Sequence, residues 1–103
     1  MKSPRTTVFL MANLGTEILR LFGYKNKGDL ADARMSAERA SRIIDSLERH
    51  PDINSGKKEV DMIRKVMVED ALSDRPEYHI TEADVSSYFM PFSMRALAES
   101  GIA

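Results

Sequence analysis

An all-α domain is predicted by three features of the 103-residue sequence. Apolar residues recur at spacings of three and four through each long segment, which is the period of an amphipathic helix. Gly and Pro are few, five and four residues, and fall mostly between those segments. Helix-starting residues (Ser, Asp, Thr) precede the periodic stretches, and Gly or Pro follows them. The expected architecture is a bundle of three long helices plus two short C-terminal helices. It forms a single domain over 1–103, with its core in 3–73 and a short-helix extension over 79–101.

The first helix is expected to start at Ser3 as cap with Pro4 at the first helical position, where a missing N–H costs nothing. Gly23 is its expected stop. It carries two apolar stripes, Met11, Leu14, Ile18, Leu21 and Val8, Ala12, Gly15, Leu19, Phe22. One partner needs one stripe. This helix is therefore either central to the domain or shared between subunits, and Ala12 and Gly15 admit a neighbouring backbone.

Asp29 is expected to cap the second helix, which runs to about His50, before Pro51. Its seam is Leu30, Ala33, Ala37, Ala40, Ile44 and Leu47, small in the first half and large in the second. Arg34, Glu38, Arg42, Asp45 and Arg49 make a solvated opposite face. Asn54 or Ser55 caps a third helix to about Leu72 or Ser73, with Val60, Ile63, Met67 and Ala71 inward and an outward Asp61–Lys65 pair. Thr81 starts a fourth, with Asp84 placed for a capping box and Ile80 and Val85 for the apolar staple. Pro91 is expected to end or kink that helix near Phe89. A last short helix follows, about Ser93 to Ser100.

Composition narrows the function. There is no Cys, which excludes a disulfide scaffold, a thiolate metal site and a cysteine nucleophile. The net charge is −1, too small for a bulk polyanion binder. The longest apolar run, Val8–Ala12, is far short of the ~20 residues that span a bilayer. Lys2 and Arg5 before that run imitate a secretion signal, but Asn13 and Glu17 spoil it, so the cytoplasm is the expected compartment.

The two histidines carry no metal pattern, because neither sits in an E-x-x-H or H-E-x-x-H spacing. His50 reads as a helix C-terminal cap. No nucleophile, base and orienting group can be named together, so no enzyme, cofactor or metal is expected. Residues 1–28 hold five basic side chains against the single Glu17, whereas the remainder is acidic. Lys2, Arg5, Lys25 and Lys27 are the candidate phosphate contacts of an alternative nucleic-acid-associated reading. Binding of an apolar ligand between helices is a second alternative.

The segment Tyr88, Phe89, Met90, Pro91, Phe92, Ser93, Met94 holds three of the seven aromatics and two of the seven Met. Such residues fill cores, and they are also enriched at docking surfaces. The expected function is a non-catalytic interaction or scaffold protein, homo-oligomeric and most simply dimeric. Its interface residues would be Val8, Ala12, Gly15, Leu19 and Phe22 with Tyr88, Phe89, Met90, Phe92 and Met94. Its partners would be itself and an unidentified protein, with no membrane.

From about residue 7 to 72 the chain resembles a small bacterial all-helical family of unknown function. The resemblance rests on Phe9 and Leu14, Leu21-Phe22-Gly23, Ala33-Arg34, and Ile44-Asp45 with Leu47-Glu48. It implies a bacterial helical-hairpin protein without an assigned activity, and it transfers no site residue.

Overall fold

The computed structural model describes residues 5–101. Among the described residues there are four helices and no strand. They are α1 (Thr7–Asn26), α2 (Leu30–Glu48), α3 (56–72) and α4 (Glu82–Glu99). α1 is the central helix, with α2 packed on one side and α4 on another, while α3 lies against α2.

The two-striped pattern of α1 accounts for that position. Met11, Leu14, Ile18 and Leu21 are buried, as are Gly15 and Phe22 of the second stripe. The start differs from expectation. Ser3 and Pro4 lie outside the described residues, and Thr6 caps the helix, its hydroxyl accepting from the Phe9 N–H at 3.1 Å. The end differs too. α1 runs through Gly23 to Asn26, and Gly28, at φ +79°, is the left-handed residue after it. A mid-helix Gly costs only ~1 kcal/mol relative to Ala, and the following turn packs Tyr24 against the core.

α2 follows its predicted bounds closely. Ala33, Ala37, Ala40, Ile44 and Leu47 are buried, and Ser36 joins them with no exposed surface. Leu30, the first residue of the expected seam, is instead 56% exposed, because the seam passes beyond its partners at the helix start. Asp45 is not merely solvated: Arg64 donates to it at 2.8 Å and to Glu48 at 3.1 Å, joining α3 to α2. Arg39 similarly donates to Glu17 at 3.1 Å, joining α2 to α1.

α3 holds a surprise at its centre. It consists of Gly56–Ile63, a wide π turn over Arg64–Glu69, and Asp70–Leu72. The extra width brings Met67 and Val68 both into the core beside Val60, Ile63 and Ala71. The outward Asp61–Lys65 pair is present at 3.3 Å. Asp70 then organises the loop before α4, accepting from the Glu77 and Tyr78 N–H groups at 2.8 and 3.3 Å.

The start of α4 forms as predicted. The Thr81 hydroxyl accepts from the Asp84 N–H at 3.1 Å, and the Asp84 carboxylate accepts from the Thr81 N–H at 2.9 Å. Val85 is fully buried, and Ile80 packs on the same core. The expected break at Pro91 does not occur. α4 is one 18-residue helix with Pro91 inside it, not two short ones. Proline deprives the Ser87 carbonyl of its helical donor, but Ser87 and Pro91 are both exposed, on a side of the helix where solvent is available to take the donor's place. Buried Phe89 and partly buried Phe92 hold the helix on the core from either side of the proline.

That arrangement predicts that Pro91→Ala stabilises the domain by ~2 kcal/mol. The helix regains ~3 kcal/mol of propensity and loses somewhat under 1 kcal/mol to a freer unfolded chain. Urea unfolding followed by circular dichroism measures it, and a lower midpoint would contradict the account.

Candidate interaction surface

The ten residues expected at an interface divide sharply in the structure. On α1, Gly15 is where α4 makes its closest approach. A Cβ built there would stand 2.6 Å from both Cβ and Cγ of Phe89 and 2.9 Å from its Cδ1. Only a glycine leaves room for that ring. Phe22 is buried, and Val8, Ala12 and Leu19 are partly buried. The second stripe of α1 therefore seats this chain's own α4 at Gly15, while Val8, Ala12 and Leu19 keep part of their surface exposed.

On α4 the aromatics turn inward. Phe89 is 2% exposed, and Tyr88 and Phe92 pack beside it. The Tyr88 and Phe89 rings meet edge-to-face with centroids 5.0 Å apart. The Tyr88 hydroxyl is buried beside the Glu59 carboxylate without completing a hydrogen bond. Burial first, and then Glu59, push the phenol pKa well above its usual range.

The methionines turn outward. Met90 and Met94 are 54% and 63% exposed. Leu97, at 48%, continues their line, and sequence reasoning passed over it. Its signal was present as the 90, 94, 97 spacing, which places three large apolar side chains on one helix face. Ala83, Ser87, Pro91 and Ala98 complete that exposed side. Ten consecutive residues, Val85 to Met94, carry no charge. α4 thus has two apolar sides, one covered and one not.

Charges bound this outer face. At its start is Asp84, whose carboxyl is held below the ordinary carboxylate range by the hydrogen bonds from the Thr81 backbone and side chain. At its far end is Arg95, exposed and in no ion pair among the described residues.

Among the described residues the candidate phosphate contacts Arg5, Lys25 and Lys27 are not brought together. Lys2 lies outside the described residues. Arg5 precedes α1, whereas Lys25 is in its last turn and Lys27 just follows it. A 20-residue helix separates them, which is ~30 Å. The Arg5 guanidinium instead stacks over the Phe9 ring, 5.2 Å from its centroid.

His50 does not cap α2 through its side chain. It is buried, with Nε2 2.7 Å from the Arg5 carbonyl and Nδ1 accepting from the Asp52 N–H at 3.1 Å. With Nδ1 an acceptor, the proton sits on Nε2 and is donated to Arg5. The ring therefore ties the segment before α1 to the turn before α3. His79 is exposed in the loop before α4, at φ +50°. Among the described residues no group of three or more metal-ligating side chains converges.

A ~500 Å³ open groove lies between α2 and α3, lined by Ala37 and Val68 and by Arg34, Glu38, Arg42 and Glu69. Among the described residues no helix is long and apolar enough to cross a membrane.

Comparison with protein-family models, with curated proteins and with solved structures finds no match to this chain.

Proposed function

We propose that this is a non-catalytic helical interaction protein that self-associates, with the outer side of α4 as its docking surface. The observation that carries the reading is the line Met90, Met94, Leu97, about half exposed or more, on a helix whose other side is already buried. A helix with two apolar sides and one partner has a side left to cover. Each of these side chains gains ~1.5–3 kcal/mol on full burial, so covering what remains exposed yields about half of that apiece. Methionine suits such a surface, being flexible enough to fit its partner.

Isologous two-fold dimers are the commonest soluble assemblies. Gly15 and Phe22 of the α1 stripe are buried within the chain, so this reading places the docking surface on α4 instead. Among the described residues Arg5 lies a helix length from Lys25 and Lys27, so the nucleic-acid reading gains no support from them.

Light scattering behind size exclusion tests the reading. The wild-type chain is expected at a multiple of 11.6 kDa that does not change with salt. Met94→Lys is expected to reduce it to 11.6 kDa, with the helical content unchanged. A mass that Met94→Lys leaves unaltered would remove this face as the docking surface.

A further inference from the structure

The outer face of α4 shows more than apolarity, because one of its flanks carries Asp84 near the start and Arg95 near the end, charges opposite in sign, the other two charges of the helix, Glu82 and Glu99, both being acidic. Asp84 and Arg95 are eleven residues apart, which is three helical turns, so they project from the same side of the helix. We infer that α4 pairs with α4 of a second copy, antiparallel about a two-fold axis near Met90, with Asp84 of each chain meeting Arg95 of the other. This rests on the reading that the outer face of α4 is the docking surface.

The direction follows from geometry. When two helices pack antiparallel, like flanks face each other, and the end of one lies beside the start of the other. Asp84 then stands beside the other copy's Arg95, twice over by symmetry. A parallel pair would set Asp84 level with Asp84 and Arg95 level with Arg95. Antiparallel packing also aligns the helix dipoles favourably. Asp84 engages Thr81 through Oδ2, which leaves Oδ1 for the flank, and Arg95 has no ion-pair partner among the described residues of its own chain.

Between these charges the two helices would meet through Ala83, Ser87, Met90, Met94 and Leu97, spaced four, three, four and three. Small residues stand at the first two places and large ones at the last three. Antiparallel packing sets the small end of one helix against the large end of the other, so the thickness of the layer stays even. A lipid surface fits less well. Helices that lie in a membrane interface carry Lys and Arg along the polar flank, and Arg95 is the only basic residue on α4.

The absence of native cysteine makes the test direct. Ala83→Cys and Leu97→Cys, both at exposed positions, are prepared separately and oxidised alone and mixed. The expected result is a mixed disulfide dimer between the two variants and little self-cross-linking of either. In parallel, Arg95→Glu is expected to weaken the dimer by about threefold to tenfold in Kd. Adding Asp84→Asn, which keeps an oxygen for the cap, is expected to recover most of that loss.

Self-cross-linking at 83 and at 97, or a dimer that forms no cross-link at either position, would overturn the antiparallel pairing while leaving an interacting protein. A chain that stays at 11.6 kDa at every concentration would overturn the pairing and the self-association together. Co-flotation of that monomer with anionic vesicles would reassign the face to lipid.

Discussion

Gly15→Leu is expected to lower the stability of the domain by ~3 kcal/mol or more, a large part of the ~5–15 kcal/mol that holds a domain of this size together. The reason is the distance from the Gly15 position to Phe89. A single added Cβ would already stand 2.6 Å from the Phe89 Cβ and Cγ. Those atoms lie next to the α4 backbone, so the clash cannot be relieved by swinging the end of a side chain. The whole helix must move away from α1. Gly15→Ala is the milder version. Its helix propensity improves by ~1 kcal/mol, against an overpacking cost of ~1–3 kcal/mol, so it should destabilise by up to ~2 kcal/mol despite being a better helix former. Thermal unfolding measures both, with ~4–8 °C for each kcal/mol at this size. The two sites should also couple. Phe89→Ala added to Gly15→Leu is expected to cost less than Phe89→Ala alone, because it removes the obstructed ring. A Gly15→Leu protein that melts with the wild type would refute the close approach of α4.

Phe89→Ala by itself is expected to cost ~3–5 kcal/mol, whereas Met90→Ala, one residue along, should change monomer stability by under ~0.5 kcal/mol. The contrast comes from direction alone, since Phe89 is 2% exposed and Met90 54%. Measuring both in the Met94→Lys background keeps self-association out of the comparison. If the two substitutions cost the same, α4 does not lie on α1 with the face described.

The features legible in the sequence are the local ones. The Thr81–Asp84 capping box needs only residues three apart, and both of its hydrogen bonds are present. The seam of α2 depends on a short-range period, and every predicted position after Leu30 is buried. What escaped was set by distant parts of the chain. Gly23 and Pro91 each carry a local penalty of a few kcal/mol at most. Tyr24 on one helix, and Phe89 and Phe92 on the other, outweigh it by packing against residues far along the chain. No local pattern announces that.

The candidate site divides in the same way. Tyr88 to Met94 was visible as an unusual cluster of aromatics and methionines. Which members face the core depends on the phase of one continuous helix, and the expected break at Pro91 hid that phase. Leu97 was missed for the same reason, being assigned to a separate helix. The pairing of Gly15 with Phe89 joins residues seventy-four apart and left no trace in either segment.

The wide turn at the centre of α3 bears on how the chain tolerates changes in length. A π turn holds one residue more than α geometry accommodates, so α3 stores a spare residue over Arg64–Glu69. Removing one exposed residue there, such as Lys65, converts the wide turn to an ordinary one. Val60 and Ile63 before it and Ala71 after it then keep their present facing. The same deletion near Lys58 would rotate everything upstream relative to the core by about 100°. The middle of α3, where a helix ordinarily admits no deletion, is thus the place where this one can be shortened.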